Sequence, residues 1–130
     1  MTNYEMVREF HKAFNSTLDQ WPPTQDTINL RLDLLYEESG ELVEELIDGD
    51  LWGPRPLPEL SKSKIAKEMA DLLYVVYGAA ASFGIDIDKV FKEVHRSNMS
   101  KLGEDGKPIY REDGKVLKGP NYSEAQIELF

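Results

Sequence analysis

The sequence contains no cysteine. This absence excludes disulfides, thiol nucleophiles and zinc sites built on thiolates. The sequence also lacks a run of about 18 consecutive apolar residues, which a membrane-spanning helix needs. The first residues have neither a basic start nor an apolar segment, so no signal peptide is expected. Together these absences favour a cytoplasmic protein that has no membrane partner.

Positive charge is scarce as well. Fifteen Lys and Arg residues against 24 Asp and Glu residues give a formal net charge of −9. Such a chain repels nucleic acid polymers, so none is expected as a partner. A small anionic ligand remains compatible if a bound metal reverses the local charge. The length of 130 residues fits a single domain, 1–130.

Apolar periodicity predicts four helices. The third is apolar nearly all round, so we expect it to be the most buried. In the fourth, Val90, Phe91 and Val94 are expected to face inward. The sequence therefore predicts an all-α four-helix bundle over 1–102, followed by an irregular tail over 103–130. The predicted helices cover 3–14, 26 to about 47, 61 or 63 to about 83, and 87 to about 102.

The helix ends carry capping signals. Asp26 is the expected N-cap of the second helix, Ser61 or Ser63 of the third and Asp86 of the fourth. Gly84 fits a C-terminal cap. The second helix carries an apolar stripe whose edge holds Glu38 and Glu41, and the stripe consists of Ile28, Leu32, Leu35, Leu42 and Leu46.

The tail contains turn signals rather than a long periodic segment. Two short extended pieces, 109–110 and 116–117, lie between these turns. Ser123 and Gln126 have the spacing of a capping box, which predicts a final short turn of helix.

Two pairs of carboxylates carry the chemistry. Glu38 and Glu41, and then Glu68 and Asp71, are each spaced i, i+3, so each pair projects from one side of a helix. The second pair lies in an almost wholly apolar stretch, where a carboxylate without a partner is costly. Two facing helices would hold the four acids around one point. Hard divalent cations such as Mg²⁺, with Mn²⁺ as the second choice, prefer such oxygen ligands.

Other interpretations of these acids stay open. The main alternative for the second pair is a buried salt bridge with Lys64 or Lys67. Glu37 either holds or deprotonates a water molecule, or is a plain surface glutamate. A di-iron site requires Glu-x-x-His pairs, and neither His11 nor His95 belongs to one. The acids nearer the helix end are expected to be solvated: Glu44, Glu45 and Asp48.

A group of donors suited to phosphate follows. Asn98 and Lys101 are spaced i, i+3 near the end of the fourth helix. Each cation alone is explained by the helix dipole, but the group fits a polyphosphate bound to the metal. A metal-bound polyphosphate beside an activated water is a hydrolysis site. The other cations of this group are Arg96, Lys107, Arg111, Lys115 and Lys118.

These motifs resemble the signature of the all-α nucleoside triphosphate pyrophosphohydrolases. That superfamily includes MazG-like proteins, phosphoribosyl-ATP pyrophosphohydrolase and dimeric dUTPase-like enzymes. The stretch 31–122 is most similar to the phosphoribosyl-ATP pyrophosphohydrolase-like branch. The resemblance rests on the two acid pairs, the doublet Glu37-Glu38, the string Glu68-Met69-Ala70-Asp71-Leu72-Leu73-Tyr74, and Asn98-x-x-Lys101.

The resemblance implies magnesium-dependent hydrolysis of a nucleoside triphosphate to the monophosphate and pyrophosphate. It makes Glu38, Glu41, Glu68 and Asp71 metal ligands, and Glu37 the residue that orients or deprotonates the attacking water. It also implies a homodimer or homotetramer.

On the substrate side, the resemblance places Asn98 and Lys101 against the phosphates or the sugar. The tail is a candidate to close over the ligand, and Trp21 either stacks on a base or is simply packed. The expected substrate is dGTP first, dUTP second and phosphoribosyl-ATP third. The alternative from another class is a non-catalytic helical module that binds a metal or a partner. The tail candidates are Lys107, Arg111, Lys118 and Tyr122.

Overall fold

The computed structural model describes residues 1–48 and 53–128. Within these ranges the chain forms four α-helices and little strand, which confirms the predicted all-α class. The side chain of Asp48 lies outside the described part, so its predicted solvation is not tested. The helices are α1 (Asn3–Ala13), α2 (Gln25–Leu46), α3 (Lys62–Phe83) and α4 (Ile87–Met99). The strands are β1 (Ile47–Asp48), β2 (Gly53–Pro54), β3 (Ile109–Tyr110) and β4 (Val116–Leu117), and a 3-10 turn covers Leu57–Glu59.

The chain comprises two compact units, Met1–Ile85 and Asp86–Phe130. The first holds α1, α2, α3 and the β1–β2 ladder, and the second holds α4 with the tail and its β3–β4 ladder. In the described part of the chain, no single helix is long and apolar enough to cross a membrane.

In the first unit α3 is central, because α1 and α2 each pack against it. The loop after α1 is fixed to the end of α3 by hydrogen bonds. The guanidinium of Arg8 donates to both carboxylate oxygens of Asp19, at 2.9 and 2.7 Å. The backbone N–H of Asp19 donates to the carbonyl of Ala81 at 2.9 Å, and that of Gln20 donates to Ser82 at 2.7 Å. The two backbone bonds satisfy carbonyls in the last turn of α3, where a helix runs out of intrahelical donors.

The predicted caps are right for α3 and α4 and wrong for α2. The hydroxyl of Ser61 caps α3, and the carboxylate of Asp86 caps α4. In α2 the hydroxyl of Thr24, not Asp26, accepts from the backbone N–H of Thr27 at 3.2 Å. Asp26 therefore lies in the first turn, where its negative charge interacts favourably with the helix dipole.

The buried part of α3 is its C-terminal half. Gly78, Ala80, Ala81 and Ser82 are buried, and their small side chains allow α1 and α2 to approach closely. Gly84 ends the helix with a φ of 71°, in the left-handed region that favours glycine, which confirms the predicted C-cap. The middle of α3 is less buried, because several of its large apolar side chains are exposed: Met69, Leu73, Tyr74 and Val76.

The apolar stripe of α2 also departs from expectation. Leu32 and Leu46 of this stripe are exposed, whereas the buried residues of α2 are Thr27 and Arg31. Polar side chains share the seam between α2 and α3, as described below. The other three members of the stripe are half-buried: Ile28, Leu35 and Leu42.

In the second unit, α4 ends at Met99, three residues before the predicted end. Phe91 is 72% exposed and Val94 is also exposed, so the prediction that they face inward is wrong. The two extended pieces of the tail pair as an antiparallel hairpin, with Ile109 opposite Leu117 and Tyr110 opposite Val116.

The predicted capping box at Ser123 and Gln126 is wrong, because residues 121–128 form no helix. Both backbone N–H groups instead bond to α4 and its C-cap. That of Ser123 donates to the hydroxyl of Ser100 at 2.9 Å, and that of Gln126 donates to the carboxylate of Glu93 at 3.0 Å. The side chain of Arg96 and this backbone donor lower the pKa of Glu93 to about 2.

Candidate metal centre

The two acid pairs face each other across the seam between α2 and α3. Glu38 and Glu41 project from α2, and Glu68 and Asp71 project from α3. One carboxylate oxygen from each of the four lies within 4.8 Å of the others, and all four residues are half-buried. We call this group the acidic cluster. Its geometry places four hard oxygen donors around one point, as binding of a divalent cation requires.

The electrostatics of the acidic cluster are unfavourable for the protein alone. Partial burial, and then the neighbouring carboxyl of Glu41, raise the pKa of Glu38. The same two causes, in the same order, raise the pKa of Glu68. One oxygen of each, Oε2, is buried and has no hydrogen-bond partner among the described residues. Hard cations prefer oxygen ligands. These unpartnered oxygens, together with the carboxylates of Glu41 and Asp71, are therefore suitable ligands for such a cation.

Lys67 lies at the rim of this cluster. Its ammonium nitrogen is 2.6 Å from a carboxylate oxygen of Asp71 and 3.7 Å from one of Glu68. The hydrogen bond to Asp71 is the main reason that the pKa of Lys67 is raised. The alternative of a salt bridge is thus present in part, made by Lys67 and not by Lys64 among the described residues. One ammonium that is itself 67% exposed leaves most of the charge of four acids uncompensated.

Glu37 is exposed on the surface of α2. Its charge adds to the causes that raise the pKa of Glu38, so it lies within electrostatic reach of the cluster. Its predicted role on a water molecule stays a prediction. The nearby Glu44 is exposed, as expected, whereas Glu45 is half-buried.

The predicted phosphate donors lie in the second unit. Asn98 is exposed and Lys101 is half-buried. In the tail, Lys107 is exposed, Arg111 donates from Nε to Asp113 at 2.8 Å, and the ammonium of Lys118 lies 4.6 Å from the ring centre of Tyr122. Arg111 and Lys118 are therefore already engaged with neighbours in the tail. Their contacts with substrate stay predictions.

Trp21 is 72% exposed. Its ring makes an edge-to-face contact with Phe83, with centroids 6.2 Å apart and planes at 77°. This contact covers part of the indole and leaves the rest accessible. Packing therefore does not account fully for Trp21, and its stacking on a base stays a prediction.

Arg31 is absent from the predicted site residues, yet it is one of the most buried groups of α2, at 8% exposure. It lies beside a cavity of about 310 Å³ that His11 and Gly78 also line. One feature of the sequence could have pointed to Arg31 and Gly78, namely their spacing of seven residues from members of the acidic cluster. Arg31 precedes Glu38 by seven residues and Gly78 follows Asp71 by seven, which places each on the same helix face as its acid.

Comparison with known proteins supports the resemblance. The sequence model of the phosphoribosyl-ATP pyrophosphohydrolase family matches residues 7–98, a range that includes both acid pairs and Asn98. An uncharacterized protein of Acanthamoeba polyphaga mimivirus is 32% identical over 123 residues, which cover 90% of this chain and 42% of the viral protein. The chain thus spans less than half the length of that curated relative.

Among solved structures, a protein from Exiguobacterium sp. 255-15, described as a candidate NTP pyrophosphohydrolase, is similar to this chain. The two share 23% sequence identity with a TM-score of 0.47, over 96% of this chain and 89% of the other.

Proposed function

The chain belongs to the phosphoribosyl-ATP pyrophosphohydrolase family, and we propose that it hydrolyses a nucleoside triphosphate to the monophosphate and pyrophosphate with the help of a divalent metal. One observation carries the proposal. Four carboxylates from two facing helices bring oxygens within 4.8 Å of one another. One oxygen each of Glu38 and Glu68 is buried and has no hydrogen-bond partner among the residues that the structure describes.

In this proposal Glu38, Glu41, Glu68 and Asp71 hold the metal, Mg²⁺ first and Mn²⁺ second. The bound ion would neutralise phosphate charge and lower the pKa of a water molecule. The carboxylates need to be ionised to bind a cation, and a cation in turn favours their ionised form. Lys67 would have to yield part of its contact with Asp71 to the ion.

The substrate side of the proposal uses the other predicted residues. The oxygen of a water molecule bonds to the α-phosphorus, the bond from that phosphorus to the oxygen bridging to the β-phosphorus breaks, and pyrophosphate leaves. Glu37 orients the water or accepts its proton. Asn98 and Lys101 bind phosphate or sugar, and Trp21 stacks on the base. The tail residues that contribute are Lys107, Arg111, Lys118 and Tyr122.

The proposed substrate is dGTP, with dUTP and phosphoribosyl-ATP as the alternatives to compare. We further propose that the active form is a homodimer or homotetramer in the cytoplasm. Support for the oligomer comes from exposed apolar residues of α2 and α3 outside the cavity of Arg31, among them Leu32, Leu73 and Val76. Burying such a surface against a second copy is favourable. Light scattering on the purified protein measures the assembly directly, and a monomer would refute this part.

The experiment is pyrophosphate release from a panel of nucleotides with Mg²⁺. Glu38→Gln and Asp71→Asn are each expected to lower the rate by about a hundredfold or more, the size seen when one charge-stabilising group is removed from an active site. Glu44→Gln is the matched control, because it changes an exposed acid of the same helix. Hydrolysis that survives both cluster variants would refute the mechanism. Metal binding without hydrolysis of any nucleotide would instead favour the non-catalytic binding module.

A further inference from the structure

The guanidinium of Arg31 is buried without a counterion among the residues that the structure describes. Arg31 is 8% exposed, and its Nε has no hydrogen-bond partner in the described part of the chain. No carboxylate of the described residues forms a salt bridge with it, and burial alone accounts for the lowered pKa of its side chain. An unpaired buried cation is costly for folding. A ligand that supplies acceptors in this cavity would offset that cost.

His11 and Gly78 shape the space next to this guanidinium. The Nδ1 of His11 donates to the carbonyl of Thr17 at 2.9 Å, since a carbonyl can only accept. Burial lowers the pKa of His11, so its neutral ring leaves Nε2 as an acceptor. A Cβ on Gly78 would lie 2.7 Å from Nη1 of Arg31 and 3.3 Å from Nε2 of His11. The glycine therefore provides the room in which both side chains lie.

The walls of the cavity suit a flat heterocycle better than a phosphate. Apart from Arg31, His11 and Ser16, its lining is aliphatic and aromatic, with Leu34 and Tyr74 as examples. Its volume of about 310 Å³ lies at the lower end of the range of about 300–1,000 Å³ typical of small-molecule sites. A phosphate would meet a single cation among apolar walls, whereas a base buries its ring faces and presents acceptors at its edge.

The position of the cavity relates it to the acidic cluster. Arg31 and Glu38 are seven residues apart on one face of α2, a rise of about 10.5 Å along the helix. Tyr74 and Leu34 each lie within one turn of a cluster residue, Asp71 and Glu38. In a nucleotide the base and the phosphates are attached to different carbons of the sugar, C1′ and C5′. A nucleotide with its base beside Arg31 and its phosphates along the seam therefore reaches toward the acids.

We propose that the cavity beside Arg31 is the base subsite, and that Arg31 selects a 6-oxopurine such as guanine through the acceptor atoms O6 and N7. This placement replaces stacking of the base on Trp21, which does not line the cavity. This inference rests on the proposed function, because it assigns the base end of the same substrate. An arginine paired with O6 and N7 is the commonest specific contact that proteins make with guanine. Adenine carries a donor in place of O6, and a guanidinium cannot bond to it.

The test measures nucleoside binding by calorimetry in EDTA, so that neither metal nor phosphate takes part. The probes are 2′-deoxyinosine, a 6-oxopurine, and 2′-deoxyadenosine, which has an amino group at C6. The wild type should bind deoxyinosine more tightly, and Arg31→Met should weaken that binding by about tenfold or more. Gly78→Ala should weaken the binding of both nucleosides by filling the space beside Arg31. The control Lys64→Met removes an exposed cation of α3 and should change nothing.

Glu38→Gln separates this inference from the proposed function. It should abolish hydrolysis and leave nucleoside binding intact. If wild-type protein hydrolyses no nucleotide yet binds deoxyinosine through Arg31, the proposed hydrolysis fails and the subsite stands. If the wild type binds neither nucleoside, or if Arg31→Met keeps the preference for deoxyinosine, the base subsite is refuted. Should Arg31→Met fail to fold by circular dichroism, Gly78→Ala decides the question, and unchanged binding in that variant refutes the subsite.

Discussion

The two ends of the seam between α2 and α3 make a natural comparison. At one end four carboxylates converge with a single lysine at the rim. At the other end one guanidinium and one neutral imidazole line a cavity, with no carboxylate paired to the guanidinium among the described residues. The ends carry opposite charge, and each contains buried polar atoms without partners.

This difference indicates that the seam is suited to binding a ligand rather than to stabilising the fold. A seam built for stability would pair its acids with its arginine, because an unpaired buried charge destabilises the folded state. Here Arg31 and Glu38 lie two helical turns apart, so neither relieves the other. The acidic end lacks cationic charge and the arginine end lacks an acceptor. A metal–nucleotide complex, with its cation at the phosphates and acceptor atoms on its base, supplies both.

The largest expected effect concerns the acidic end. Mg²⁺ should raise the unfolding free energy of the wild type, by about 4.1 kcal/mol at a concentration one thousand times its Kd. Glu68→Gln should greatly reduce this gain, while Glu44→Gln retains it. Thermal unfolding with and without Mg²⁺ measures the effect. Equal stabilisation of Glu68→Gln and wild type would show that the cation binds elsewhere.

At the arginine end, we expect stability to increase when a charge is removed rather than when a cation is added. Arg31→Met removes an unpaired buried charge, so the protein without ligand should become more stable, by about 1 to 3 kcal/mol. Urea unfolding of the wild type and the variant checks this. Lys64→Met provides the exposed-cation control. A loss of stability in Arg31→Met would mean that the guanidinium has a partner in the assembled protein, and the comparison between the two ends would then fail.

The pH dependence should also differ between the ends in metal-free protein. Folding raises the pKa of Glu38 and Glu68, so the folded state binds more protons above their ordinary value, and stability falls as pH rises through that window. Folding lowers the pKa of His11, so the unfolded state binds more protons below about pH 6.5, and stability falls as pH decreases from there.

Urea midpoints across about pH 4 to 8, measured in EDTA, test these two slopes. Glu38→Gln should flatten the acidic side of the profile, and His11→Gln should flatten the part just below the ordinary histidine pKa. A profile that neither variant changes would exclude both groups as its source.

The smallest effect is expected at the rim. Lys67→Met removes an ion pair with Asp71 that is largely exposed and screened by solvent, so metal-free stability should fall only slightly. Mg²⁺ should bind several-fold more tightly, because the lysine no longer competes for Asp71. Calorimetric titration of both proteins gives the two affinities. Weaker Mg²⁺ binding in Lys67→Met would indicate that the lysine helps to build the site.

The helices and the acid pairs could be predicted from the sequence. Which face of each helix packs against its neighbour could not. Helix periodicity and the i, i+3 spacing of the acids depend on neighbouring residues, so they predicted α2, α3 and two acid pairs. Which face of α2 packs on α3 depends on tertiary contacts. The apolar stripe predicted that face only in part, since Thr27 and Arg31 are buried while Leu32 is exposed.

Arg31 illustrates the same limit at the site. A single cation on a polar helix resembles a surface residue, and only its spacing of seven from Glu38 indicated a shared face. The cap of α2 was ambiguous for a different reason. Thr24 and Asp26 both suit the position and lie two residues apart, so composition alone does not choose between them.

The most direct test of the central claim is the binding of Mn²⁺ followed by electron paramagnetic resonance. If the acidic cluster holds the metal, the wild type and Glu44→Gln should bind the ion equally, and Asp71→Asn should bind it at least about tenfold more weakly. Equal binding of Mn²⁺ by Asp71→Asn and wild type would contradict the assignment of the acidic cluster as the metal centre.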